Sequence, residues 1–179
     1  IITPTAVKTL ALEKNIPVLQ PEKLRNNDEF FTTLRNLDLD FIVVVAYGKI
    51  VPNEVLEAPK HACINIHGSI LPAYRWASPI QEAVKNWDTQ TWVTIMYMSE
   101  GMDEWDILHI HTVDILRDDT TADIFEKFEK IWAQTLIETL QKVITWELKG
   151  EKQDQSKATY CSKIEKTDGL IDFSKTSQE

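Results

Sequence analysis

The chain has 179 residues, 43% hydrophobic and 26% charged, which suits one folded domain with a real core and excludes disorder as the default. It has no run of about 18 apolar residues, and its start, IITPTAVKT, lacks a basic stretch followed by an apolar one, so the expectation is a cytoplasmic protein without a membrane span. A net charge of −9 argues against this segment gripping nucleic acid alone, because phosphate binding draws on clustered Lys and Arg.

Thr3-Pro4 reads as a helix start, with Val7, Leu10 and Leu12 giving a short amphipathic helix. Ile16 to Leu19 is a brief strand candidate closed by Pro21. A second helix is expected from Asp28 to about Leu37, capped by Asn26 or Asn27, with Phe30, Phe31, Leu34 and Leu37 on one face. The β-branched run from Asp40 to Tyr47 predicts a central parallel strand covered on both sides. A short helix around Asn53 to Glu57 separates it from a second buried strand, Ala62 to His67. This alternation of strand and helix predicts an α/β fold with a mostly parallel sheet.

Ser78-Pro79 opens the next helix, with Ile80, Ala83 and Val84 facing inward. Val93 to Met98 and Ile107 to Val113 are joined by SEGMDEWD, too short for a crossover helix, so they should pair as a hairpin. His109 and His111 share a face of the second strand, but no neighbouring cluster supports a metal, and none is expected. Asp118 to Thr121 forms a helix start, and the helix should run to about Leu148, burying Ile124, Phe128, Ile131, Leu136, Leu140 and Val143, with Gly150 as its end. The division expected is a catalytic domain over 1–148 and a polar connector over 149–179. The connector's lysines, Lys149, Lys152, Lys157, Lys163 and Lys166, read as part of a solvated linker. Cys63 and Cys161 suggest neither a metal site nor a disulfide framework.

The stretch Cys63 to Pro72, CINIHGSILP, carries the chemistry. Side chains two apart on a strand project from one face, so Asn65 and His67 should emerge side by side at the carboxyl end of a buried strand. That is the usual place for a site in an open α/β sheet. An amide beside an imidazole can polarise a carbonyl and move a proton.

This stretch resembles the N-x-H-G-S-L-L-P signature of the folate-dependent formyltransferases. The likeness extends from PTAVKTLALEKNIPVLQPEKL through VVVAYGKIVPNEVLEAP and SPIQEAV to ATYCSKIEKTDGLIDFS, and is strongest to the branch that formylates initiator methionyl-tRNA in translation initiation. The resemblance implies a Rossmann-like formyltransferase fold, partial here: the first strand-helix-strand unit is absent and the connector leads toward a missing C-terminal β-barrel. It implies transfer of a formyl group from 10-formyltetrahydrofolate, with Asn65 and protonated His67 donating to the oxyanion and Asp103 orienting His67 and assisting proton transfer. Folate contacts are implied at Ser69, Ile70, Leu71 and Pro72, with Ile70 replacing a leucine. The loops 46–50 and 101–106 would line the pteridine pocket, and Arg75 is a weaker candidate for a substrate or structural role. Initiator methionyl-tRNA would be held mainly by regions outside this chain. Two other readings remain open: an N-formyltransferase for amino-sugar nucleotides, against which the ATYCSKIEKTDGLIDF connector speaks, and a non-catalytic folate-binding domain.

At positions where the resemblance implies glycine, this chain has Trp76, Trp87, Trp92, Trp105, Trp132 and Trp146, which are all its tryptophans. Tryptophan neither reaches positive φ readily nor leaves room for a neighbouring backbone. One common cause would be the codon UGA, read as glycine in some bacterial lineages and as tryptophan under another genetic code. Deliberate substitution or a decayed paralogue are the competing causes.

Overall fold

A computed structural model describes residues 3–98, 100–170 and 173–176. Ser99 of the SEGMDEWD loop and Ile171 and Asp172 of the connector motif lie outside the described residues. In chain order the helices are α1 (Ala6–Glu13), α2 (Asp28–Asn36), α3 (Asn53–Leu56), α4 (Pro79–Lys85) and α5 (Thr121–Ile144). The strands are β1 (Phe41–Val45), β2 (Ala62–His67), β3 (Arg75–Trp76), β4 (Gln90–Tyr97), β5 (Ile107–Asp114) and β6 (Tyr160–Cys161). Four strands form one sheet in the order β1-β2-β4-β5, and β3 pairs with β6 in a second, small sheet.

The strand-helix alternation up to β2 yields the parallel pairing it predicts, with Ile42 opposite Cys63 and Val44 opposite Asn65. Beyond β2 the sheet is mixed: β4 runs antiparallel to β2, and β4 and β5 form the expected hairpin. Chain direction reverses because α4 returns the chain to the same end of the sheet from which β2 left it. The result is a Rossmann-like α/β fold, the class that the resemblance implies.

The core follows from the apolar faces. Ile64, Ile95 and Leu108 project from the sheet onto Leu136 and Val143 of α5. Further along the same helix, Ile124 and Phe128 pack with Ile80, Val93 and Val113. A third cluster joins Phe31 and Leu34 of α2 to Val51 and Val55. The α5 start is a capping box: the Thr120 side chain accepts from the Asp123 backbone, while the Asp123 carboxylate accepts from the Thr120 backbone N–H.

Several expectations are corrected. Strand β1 lies at the edge of the sheet among the described residues, with Val43 and Val45 exposed rather than covered on both sides. Residues 16–19 form no strand: the Ile16 N–H donates back to the Ala11 carbonyl of α1 at 2.8 Å, and the segment pairs with no strand among the described residues. Helix α1 is capped by Thr5, not Thr3, and its Val7, Leu10 and Leu12 are exposed. Helix α2 is capped by Asn27, and Leu37 falls past its end and is exposed. Helix α5 stops at Ile144 rather than near Leu148, because Trp146 takes the left-handed conformation, φ 58°, and turns the chain away. The first part of the connector is no solvated linker: Gln153 and Cys161 are buried, Glu151 bridges to Ile107, and β6 ties back to β3.

Candidate active site

Strand β2 puts Asn65 and His67 on one face, and the loop between β4 and β5 brings Asp103 to them. Asn65 Nδ2 donates to Asp103 Oδ1 at 3.3 Å, and His67 Nδ1 stands 3.6 Å from the same oxygen. The other carboxylate oxygen, Oδ2, accepts the Trp76 backbone N–H at 3.0 Å. His67 Nε2 lies 2.9 Å from the Tyr74 carbonyl, which can only accept, so Nε2 carries a proton. Both ring nitrogens therefore face oxygen, and the ring is fixed in orientation with 7% of its surface exposed.

The backbone around this trio is unusual. Asp103, Tyr74 and Trp76 all adopt positive φ, at 58°, 57° and 84°. Residues 74–76 turn sharply so that the Tyr74 carbonyl and the Trp76 N–H both point at the trio. Positive φ at non-glycine residues clusters where a site needs backbone groups aimed a particular way.

Gly68, directly after His67, allows the close approach of β2 to α4: a Cβ there would sit 2.8 Å from Ile80 Cγ1 and 3.3 Å from Phe128 Cε2. Its neighbours serve the turn. Ser69 Oγ donates to the Ala73 carbonyl at 2.6 Å, Leu71 is buried, and the Leu71–Pro72 peptide is cis. None of Ser69, Ile70, Leu71 and Pro72 lines the main cleft, and Ile70 lines a smaller depression beside Tyr74 and Trp92 instead.

The trio lies in a cleft of about 1540 Å³. Its walls include residues 44–54, from the end of β1 onward, and residues 100–105, which take in the expected loop 46–50 and most of the expected loop 101–106. Its charged lining is mixed, Arg25, Lys49 and Lys163 beside Glu54, Glu100, Asp103, Glu104 and Glu129, and Trp76, Trp105 and Trp132 contribute indoles. The space exceeds what one drug-sized ligand fills, about 300–1,000 Å³, so it can take a bulky donor and the end of an acceptor together.

Sequence reasoning missed the rear support of this cleft. Gln153 Nε2 donates to the carbonyls of Asp103, at 2.9 Å, and Trp105, at 2.7 Å. Its Oε1 accepts from Arg75 Nη2 at 2.6 Å, while Arg75 Nη1 donates to Gln155 Oε1 at 2.8 Å. Arg75, 1% exposed, is thus a structural centre rather than a surface contact. Its position beside the signature was a signal; Gln153 offered none, because a glutamine in a polar stretch looks like any solvated residue.

Burial pushes the Cys63 thiol up to about 11, and burial, with the charges of Glu82 and Asp103, also raises that of Cys161, so neither is a thiolate nucleophile near neutrality. His109 is lowered by burial and by the nearby His111 and Lys142, and among the described residues no group of three or more His, Cys, Asp or Glu could hold a metal. No helix among the described residues is long and apolar enough to cross a membrane.

Residues 3–140 match the family described as formyl transferase. A methionyl-tRNA formyltransferase of Sulfurihydrogenibium sp. strain YO3AOP1 is 44% identical over 178 residues, covering 99% of this chain and 57% of that protein. The chain spans a little over half the length of the curated relatives it matches. Among solved structures, phosphoribosylglycinamide formyltransferase from Bacillus halodurans is 29% identical, with a TM-score of 0.69 over 80% of this chain and 77% of that one. The formyltransferase PseJ from Anoxybacillus kamchatkensis, in complex with UDP-4,6-dideoxy-4-formamido-L-AltNAc and tetrahydrofolate, shares the fold at 22% identity, with a TM-score of 0.65 over 86% of this chain and 80% of that one.

Proposed function

The chain belongs to the formyl transferase family, and from that premise we propose that it holds the catalytic unit of an enzyme that moves a formyl group from 10-formyltetrahydrofolate to the amino group of initiator methionyl-tRNA. The observation that carries this reading is the meeting of Asn65, His67 and Asp103 in one cleft, with Asp103 Oδ1 within 3.3 Å of the amide and 3.6 Å of the imidazole. The 44% identity to a methionyl-tRNA formyltransferase supports the choice of acceptor.

In this reading the acceptor amine attacks the formyl carbon, and its carbonyl oxygen takes up the negative charge of a tetrahedral intermediate. The second N–H of Asn65 donates toward that oxygen, and His67 does so once its Nε2 turns from the Tyr74 carbonyl to the substrate. Asp103, an acceptor anchored by the Trp76 N–H, takes a proton from the attacking nitrogen directly or through water. The intermediate collapses as the C–N bond to the folate nitrogen breaks, and that nitrogen regains a proton. Formyl-amine and tetrahydrofolate are the products, and the proton count balances.

The pteridine enters along the walls at 46–50 and 101–106. Of the charged residues lining the cleft, Arg25, Lys49 and Lys163 are those that suit the anionic tail of a folate, the others being carboxylates. Ser69, Ile70, Leu71 and Pro72 act on the folate by fixing the turn behind His67, since Ser69 and Leu71 are buried within it. The tRNA body, repelled by a net charge of −9, is gripped mainly by parts of the enzyme outside this chain, and the cytoplasm is its site of action. The test is acceptor choice with labelled 10-formyltetrahydrofolate: label passes to methionyl-tRNA and not to a UDP-linked amino sugar, and the reverse outcome overturns the reading.

A further inference from the structure

We propose that Gln153 is a positioning residue for Asp103, an inference that rests on the formyl-transfer reading. The loop that carries Asp103 has no regular secondary structure, and Asp103 itself is held at φ 58°. A carboxamide is the group that can accept from a guanidinium while donating two N–H bonds. Gln153 uses all of that capacity: Arg75 Nη2 donates to its oxygen, and its nitrogen donates to the Asp103 and Trp105 carbonyls on either side of Glu104. Arg75 is rigid because it is buried and is also bonded to Gln155. The chain Arg75–Gln153–loop therefore fixes the backbone from which the Asp103 carboxylate reaches His67, and a misplacement of about 1 Å there costs about 100-fold in rate.

The experiment uses Gln153→Glu, which keeps the partner for Arg75 but removes both donors. The KM for folate stays near that of the unsubstituted protein, kcat falls by about 10-fold to 100-fold, amide exchange across 101–105 accelerates, and the melting temperature drops because the Asp103 and Trp105 carbonyls lose their donor. Gln153→Leu, which removes the donors and also the acceptor of Arg75 without adding charge, lowers the melting temperature but gives the same fall in kcat at an unchanged KM. Gln155→Ala, which removes the second partner of Arg75 and a long bond of 3.4 Å to the Glu104 carbonyl but leaves the Gln153 bonds in place, lowers kcat by no more than about 3-fold. Unchanged kcat and exchange in both Gln153 variants, or an equal loss in Gln155→Ala, overturns the proposal. If the unsubstituted protein transfers no formyl group, the functional reading fails, and the exchange data decide the positioning claim separately.

A different observation carries a second inference: the polypeptide made in the source cells has glycine at the six tryptophan positions. The chain has five glycines, where about 7%, roughly a dozen in this length, is usual, and six tryptophans whose conversion would close the gap. Positive φ occurs at only a few per cent of non-glycine residues and is a genuine outlier for bulky ones. Yet Trp76, Trp87 and Trp146 adopt it, at 84°, 58° and 58°. Trp87 and Trp146 each follow a helix cap and form the same pair of bonds. The Trp87 and Asp88 N–H groups donate to the Val84 and Ala83 carbonyls, and the Trp146 and Glu147 N–H groups to those of Val143 and Lys142. This is the Schellman ending, whose left-handed position belongs to glycine. No burial compensates the strain, since Trp87 is 79% and Trp146 84% exposed.

Trp76, Trp87 and Trp146 carry the argument on geometry; Trp92, Trp105 and Trp132 follow from one cause, UGA codons decoded as glycine. The consequence reaches the site, because Trp76, Trp105 and Trp132 all line the cleft, which glycine would widen. Mass spectrometry of the protein purified from its source cells reads the outcome directly: peptides spanning the six positions carry glycine masses, and indole-bearing peptides overturn the inference. In recombinant protein, Trp87→Gly and Trp146→Gly raise the melting temperature above that of the matching alanine variants; alanine equal to or better than glycine contradicts the geometry.

Discussion

The end of β2 and the strap of chain after α5 hold the same site from opposite sides, and they do so by different means. Asn65 and His67 stand on a strand paired on both flanks, so their placement follows from sheet register. Asp103 stands on an irregular loop, and its placement depends on side chains that begin elsewhere: Gln153 and Arg75 behind it, and the Trp76 N–H in front. A site half on a strand and half on a loop has one side resistant to perturbation and one that is easily moved.

The comparison can be broken most sharply at the reacting groups. His67→Ala leaves the strand intact but removes a donor, and formyl transfer falls by about 10²–10⁴-fold with the fold unchanged by circular dichroism. Arg75→Ala attacks the loop side through its buried anchor. It leaves the Gln153 and Gln155 oxygens without their guanidinium partner, so stability falls by about 2–4 kcal/mol in urea titration. Gly68→Ala attacks the strand side by overpacking Ile80, costing about 1–3 kcal/mol by the same titration.

A smaller effect, remote from both sides, sets the scale. The Thr120 hydroxyl and backbone N–H hold the Asp123 carboxyl below its ordinary value of 3.8. A group depressed in the folded state adds stability that is complete above its unfolded value and lost as pH falls through the folded one. Thr120→Ala therefore lowers the melting temperature by about 2–4 °C near neutrality, and the difference shrinks in acid below pH 3.8.

The strand side was legible in the sequence because period-2 spacing, an apolar run and a following glycine are local signals. They placed β2 and the helix caps at Asn27 and Thr120 within a residue or two, and the hairpin strands within three. The edge position of β1 was not legible, since FIVVV describes a strand's composition and not its neighbours. The burial of Gln153 was hidden for a related reason: its partners, Arg75 and residues 103–105, lie about fifty or more positions away in the chain. Asp103 could be placed in the right turn by resemblance, but its bond to the Trp76 backbone needs the left-handed bend at Tyr74 and Trp76, which no side-chain pattern encodes.

The central claim is that His67 and Asp103 work as one unit across the two sides. A double-mutant cycle of His67→Ala and Asp103→Asn in single-turnover formyl transfer to methionyl-tRNA tests it most directly. The double variant is expected to be scarcely slower than the worse single variant, because either change disables the pair. Losses that simply multiply would contradict it and leave the two residues acting independently.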